Sequence, residues 1–136
     1  MARVRLRVFL GEEHSVGPGK VELLESVREL GSISSAARSM DMAYRHAWEL
    51  IDDMNRCFRS PVVATTSGGA SRGGARVTAF GEELIRRFRA MERAARTAVA
   101  ADLAALEAAA AGTRRRAPAP GARSPVRRAR RAARAR

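Results

Sequence analysis

Arg3-Val4-Arg5-Leu6-Arg7-Val8 alternates charge and hydrophobe without a break, the period-two pattern of a strand with one buried face. It predicts an N-terminal strand over 3–10, with Val4, Leu6 and Val8 pointing inward. Gly17-Pro18-Gly19 then interrupts the chain, and the fixed φ of Pro18 suits the first turn of a helix. Val21, Leu24, Val27 and Leu30 follow at helical spacing as far as Gly31. Ser32 is a natural cap for a short second helix through Ile33, Ala36, Ala37 and Met40. Asp41-Met42 makes a corner, and a third helix is expected from about 43 to 58, with Ala47, Ile51, Met54 and Phe58 along one face, before Pro61.

Beyond Pro61 the pattern returns to short β-prone runs, 62–66 and 75–77. They are separated by Ser67-Gly68-Gly69-Ala70-Ser71-Arg72-Gly73-Gly74, which reads as a hairpin with a glycine-rich loop. Thr78 is placed to cap a long helix over 79–111, with Glu82 and Glu83 near its positive end. Along it Leu84, Phe88, Met91, Ala95, Val99, Leu103 and Leu106 recur every three or four residues, until Gly112. The expected fold is therefore mostly α with a small β component. Helix, helix, tight turn, helix and hairpin in that order describe a winged helix-turn-helix with an N-terminal strand and a long C-terminal dimerisation helix.

The details of 33–51 agree with that plan. Ala37 falls where two helices would cross closely, Met40 and Met42 bracket the turn, and Ala47 with Leu50 or Ile51 anchors the third helix. Asp41 stands where glycine is usual, and Asp tolerates a left-handed backbone better than most residues. At 100° per residue, Arg45, Glu49, Asp52 and Arg56 of the third helix face outward, with Tyr44, His46 and Trp48 on the flanks. In such a fold the third helix enters the major groove and its N-terminal half reaches base edges. The Arg45 guanidinium suits bidentate bonding to a guanine edge. Tyr44 and His46 could contact phosphates or bases, and Glu49 could accept from a cytosine amine. At the hairpin, Arg72 and Arg76 flank glycines that let the backbone approach a sugar-phosphate chain. The plainer alternatives are a solvated helix face and an ordinary hairpin. The loop is not a phosphate-binding P-loop, since no Gly-Lys-Ser/Thr follows it.

Charge changes this picture less than its total suggests. The 136 residues carry 26 basic and 14 acidic side chains, a net +12. Ten arginines and no acid lie in 114–136, so the preceding 113 residues come to only about +2. Two segments are expected: 1–112, DNA-binding and dimerising, and 113–136, a disordered Arg/Ala/Pro-rich tail. Such a tail could add salt-dependent affinity for DNA, or be passive. The single cysteine, Cys57, excludes internal disulfides and fits a reducing compartment. No apolar run approaches the roughly 20 residues that span a bilayer, so a cytoplasmic, nucleoid-associated protein without membrane contact is expected. Cys57 reads as a small half-buried hydrophobe more readily than as a redox sensor. His14 and His46 lack the partners of a metal site. Trp48 reads as packing at the domain edge. No nucleophile with its base, no paired carboxylates and no cofactor motif point to an enzyme.

Three elements make the chain recognisable: Gly31-Ser32-Ile33-Ser34-Ser35-Ala36-Ala37, Met42-Ala43-Tyr44-Arg45-His46-Ala47-Trp48, and Ile51-Asp52-Asp53-Met54-Asn55. With the Gly-rich loop and Val77-Thr78-Ala79-Phe80-Gly81-Glu82, they resemble the N-terminal domain of the molybdate-responsive ModE regulators over about residues 4–95. The resemblance implies a dimeric repressor or activator, related to LysR-type regulators, with dimer contacts from the N-terminal strand and the long helix. The expected DNA-contacting set is Ser34, Ser35, Tyr44, Arg45, His46, Glu49, Arg72 and Arg76. Full-length ModE proteins also carry C-terminal molybdate-binding modules that open on a Ser/Ala-Arg-Asn-Gln signature. No such signature follows residue 112, so the partners expected are double-stranded DNA and a second copy, with no oxyanion-binding module in this chain and no cofactor. The competing functions are an architectural DNA-coating protein binding through its tail, which a nearly neutral folded part argues against, and a protein-interaction module.

Overall fold

The computed structural model describes residues 1–66 and 73–111. The expected tail over 113–136 and the candidate Arg72 lie outside them. The elements are β1 (Val8–Leu10), β2 (His14–Val16), α1 (Pro18–Leu30), α2 (Ile33–Ser39), α3 (Tyr44–Cys57), β3 (Val63–Thr65), β4 (Ala75–Val77) and α4 (Ala79–Ala109). Most of the described chain is helical, with two small antiparallel hairpins, β1-β2 and β3-β4.

The N-terminal strand is shorter than the alternation predicts and belongs to a hairpin. Only Val8–Leu10 pairs, with Val8 opposite Val16 and Leu10 opposite His14. The alternation is real: Leu6, Val8 and Leu10 pack against the core while Arg5, Arg7 and Phe9 face solvent. Val4, however, is exposed. A buried face needs a partner layer, and among the described residues no strand pairs with residues 3–7. His-Ser-Val, only three residues long and directly after a Gly-Glu-Glu turn, carries too little pattern to be read as β2 in advance.

The helices end where the local chemistry dictates. Pro18 opens α1, and Gly31 closes it at φ +76°, giving its N–H to the Val27 carbonyl at 2.8 Å. That left-handed conformation is one glycine adopts without a Cβ penalty. Ser32 Oγ accepts from the Ser35 N–H at 3.1 Å and caps α2. The corner that follows is held by the Met42 N–H donating to the Ala37 carbonyl at 3.0 Å. Asp41 has φ +55°, the left-handed position expected of it. Thr78 Oγ1 caps α4 by accepting from the Gly81 N–H at 3.0 Å and donates to the Pro61 carbonyl at 2.6 Å.

Val21, Leu23, Leu24 and Val27 of α1 form the centre of the core. Ile33, Ala36 and Ala37 of α2, and Ala47, Ile51 and Met54 of α3, close over them. Val62, Val63, Ala75, Ile85 and Phe88 complete it from the second hairpin and the first turns of α4. Buried Ile85 stands beside the stripe expected from periodicity, while Leu84, within that stripe, is only partly buried. Two close approaches set the second hairpin. The Ala75 N–H donates to the Gly31 carbonyl at 2.9 Å, and Gly81 lies so near the Val62 carbonyl that no Cβ could be placed there. Arg89 joins α4 to α1 through Glu25, at 2.5 and 3.3 Å, and also reaches Glu92 at 2.7 Å.

Candidate nucleic-acid interface

Helix α3 has one buried face and three solvent-accessible sectors, and its neighbours identify each. Tyr44, Trp48 and Asn55 fall on one flank at 100° per residue. Asn55 Oδ1 accepts from the Val62 N–H at 2.8 Å and its Nδ2 donates to the Val63 carbonyl at 3.4 Å, so this flank faces the β3-β4 hairpin. His46, Asp53 and Cys57 fall on the opposite flank. There the Asp53 carboxylate accepts from Lys20 Nζ at 2.6 Å and lies 3.0 Å from His14 Nδ1. Lys20 also donates to the Ser15 carbonyl at 2.7 Å, so this flank is clasped to β2 and α1. Between the flanks, Arg45 and Glu49 point away from the protein.

The clasp has an electrostatic consequence. The Lys20 hydrogen bond and charge, helped by His14 and opposed by burial, hold the Asp53 carboxyl below its usual range. A carboxyl lowered in the folded state stabilises the fold above the ordinary carboxylate range. That contribution is lost as pH falls through the lowered value. Cys57, one turn on, is half-buried, and burial pushes its thiol up. A thiol so raised is a poor nucleophile at neutral pH.

The outward sector carries the expected residues. Arg45 is 90% exposed at its side chain, with Nε 3.4 Å from Glu49 Oε1 one turn later. Such an exposed pair adds little stability, and it leaves the outer nitrogens of the guanidinium accessible. His46 and Glu49 are exposed, and Tyr44 is 55% exposed. On α2, Ser34 is exposed, while Ser35 is half-buried and its Oγ accepts from Arg38 at 3.3 Å. Arg76 is exposed on β4. The structure thus gathers Tyr44, Arg45, His46 and Glu49 at the start of one helix, with Ser34 and Ser35 on the helix packed beside it and Arg76 on the separate hairpin. At the base of the loop between β3 and β4, the Thr66 N–H donates to the Gly74 carbonyl at 2.9 Å.

Trp48 corrects the sequence reading. Expected to pack at the domain edge, it is 46% exposed and belongs neither to the core nor to the partly buried residues packed against it. The helical phase that buries Ala47 and Ile51 turns position 48 outward, and at its N-terminal end that flank leaves Tyr44 and Trp48 exposed. The His14–Asp53–Lys20 clasp was invisible in the sequence because its members lie on three elements. Asn55 was visible only as part of the Asp-x-Met-Asn element, with no role attached. Among the described residues, no group of three or more His, Cys, Asp and Glu could hold a metal ion. No helix among the described residues is long and apolar enough to cross a membrane.

No protein-family profile matches the chain. Among curated proteins it is 33% identical over 92 residues to the molybdenum transport protein ModE of Azotobacter vinelandii, covering 68% of this chain and 33% of that one. It is 38% identical over 79 residues to the molybdenum-pterin-binding protein MopA of Rhodobacter capsulatus, covering 58% and 30%. It is also 31% identical over 87 residues to the DNA-binding transcriptional dual regulator ModE of Escherichia coli K12, covering 64% and 33%. The chain spans about a third of the length of these relatives. That MopA is a molybdenum-pterin-binding protein weighs mildly against the expectation that this chain holds no oxyanion-binding module. Over the shared segment, the chain is related in sequence to the ModE and MopA proteins.

Proposed function

We propose that this protein is a transcription regulator that reads double-stranded DNA through a winged helix-turn-helix of LysR type and works as a homodimer. The observation that carries this reading is the setting of α3. Ala47, Ile51 and Met54 anchor one face, the clasp and Asn55 brace both flanks, and Arg45 stands outward among His46, Tyr44 and Glu49. A braced helix with a polar, solvent-facing N-terminal half is what reading base edges in a major groove requires. The β3-β4 hairpin supplies the wing, with Arg76 toward the phosphate chain. Exposed Met91 and Leu106 on α4 supply a surface for a second copy. The names of the relatives support transcriptional control of molybdenum-related genes, in the cytoplasm and at the nucleoid. DNA is the partner of this chain.

Fluorescence anisotropy with duplexes from the upstream region of its own gene tests this, against a scrambled duplex, at low and near-physiological salt. The full chain is expected to prefer the upstream duplex at the higher salt, and Arg45→Ala to lose about 1–3 kcal/mol of that preference. Added molybdate is expected to leave the affinity unchanged. Equal binding to both duplexes that vanishes with salt is what an architectural protein using its arginine-rich tail would show.

A further inference from the structure

Half of the protein's six aromatic side chains remain in water, and two of those three, Tyr44 and Trp48, lie one turn apart on the same flank of α3. They adjoin Arg45, on the flank that turns toward the β3-β4 hairpin, ahead of the Asn55 bridge. The core closes without them, around Leu23, Leu24, Met54 and Phe88. Large apolar surface left exposed beside a charged reading residue is costly in water and is gained back only when something apolar covers it. Resting on the DNA-binding reading above, we propose that Tyr44 and Trp48 are specificity-determining residues that pack against the C5-methyl group of a thymine neighbouring the guanine bonded by Arg45.

The chemistry restricts the choice. Of the groups on base edges in a major groove, only the thymine methyl is apolar, and it faces the same groove as the O6 and N7 acceptors of a neighbouring guanine. Arg45 supplies the charge-assisted bonds that fix register. The aromatic flank then discriminates a methyl-bearing base from cytosine at the next step. The position follows from the helix: Trp48 is three residues after Arg45 and displaced toward the hairpin, so the thymine lies on the hairpin side of the guanine.

The test replaces thymine by deoxyuridine, which removes the methyl and leaves every hydrogen-bonding group. A duplex is first selected by the full chain from a random-sequence library at near-physiological salt, and each dT in it is then exchanged singly for dU. One dT beside a dG is expected to lose about fourfold in affinity on exchange, the effect of one buried methyl. Trp48→Ala is expected to bind the selected duplex more weakly and to be indifferent to that exchange. Trp48→Phe, which keeps an apolar ring and drops the indole N–H, is expected to retain the sensitivity. Circular dichroism melting of both variants separates a lost contact from a lost fold. If no exchange alters binding although the selected duplex is preferred over a scrambled one, the thymine contact is overturned and the DNA-reading function stands. A Trp48→Phe variant as weak as Trp48→Ala, with dU tolerated everywhere, overturns it in favour of an indole N–H bonded to a phosphate. Failure of the selection to yield any preferred duplex overturns the DNA-reading function itself.

Discussion

The two halves of α4 carry the same periodic stripe of hydrophobic residues and meet opposite fates. In the first three turns Ile85 and Phe88 are buried, Gly81 touches the second hairpin, and Arg89 bridges to Glu25 of α1. Past Arg89 the stripe continues through Ala95, Val99 and Leu103 to Leu106, yet Met91 and Leu106 lie open to solvent. Near its far end the helix meets the N-terminal arm, whose terminal ammonium is 3.9 Å from Glu107. Alternation of apolar and polar residues specifies which side of a helix seeks burial. Whether anything is there to bury it depends on the rest of the chain, and after Arg89 the helix has left the core behind.

Substitutions along the helix measure that difference directly. Phe88→Ala removes a large side chain at the centre of the core and is expected to cost about 3–5 kcal/mol in urea unfolding. A loss under 1 kcal/mol would mean the first half is no better packed than the second. Gly81→Ala inverts an ordinary rule. In an exposed helix interior the change gains roughly 1 kcal/mol, whereas here the new methyl meets the Val62 carbonyl and lies 2.6 Å from Val77 Cγ1. A destabilisation of about 1–3 kcal/mol is expected from overpacking, and a raised melting temperature would contradict the close approach of α4 to the hairpin. Arg89→Ala, at the boundary, unties two partly buried carboxylates and is expected to cost about 1–2 kcal/mol after allowance for solvent screening. A double-mutant cycle with Glu25→Ala isolates the share that belongs to the bridge.

The smallest effect on unfolding is expected in the second half. Met91→Asp with Leu106→Asp should change the stability of the protomer by no more than about 0.5 kcal/mol each, as for exposed positions generally. Self-association is where these two are expected to act: sedimentation equilibrium of the unsubstituted chain should report a dimer that the double variant dissociates. An unaltered mass would show that the outer stripe serves no second copy.

The same division runs through α3. Its buried face, Ala47, Ile51 and Met54, follows from spacing, and so does the outward direction of Arg45 and Glu49, because a helix has a fixed angular increment. The caps Ser32 and Thr78, the stop at Gly31 and the left-handed corner at Asp41 are also local, each decided by one side chain and the backbone next to it. These features were legible from residue order. Trp48 was legible only in part: its phase put it on a flank of α3, but the expectation that it packs at the domain edge weighed its size above that phase. The pairing of Val8–Leu10 with His14–Val16 was illegible for another reason, since three-residue strands carry too few alternations to register.

What the sequence by itself determined, then, is the order of the helices, their ends, their buried faces and the set of exposed polar residues at the start of α3. Those are properties of nearest neighbours and of a period of 3.6. Only the tertiary structure decided that Asp53 would meet Lys20 and His14, that Asn55 would hold the second hairpin, that Gly81 would be pressed against it, and that the hydrophobic stripe of α4 would be covered along one half and bare along part of the other. Each of these joins elements distant in sequence, and such contacts depend on how whole helices pack, because a side chain's partner is chosen by the geometry of the assembled core.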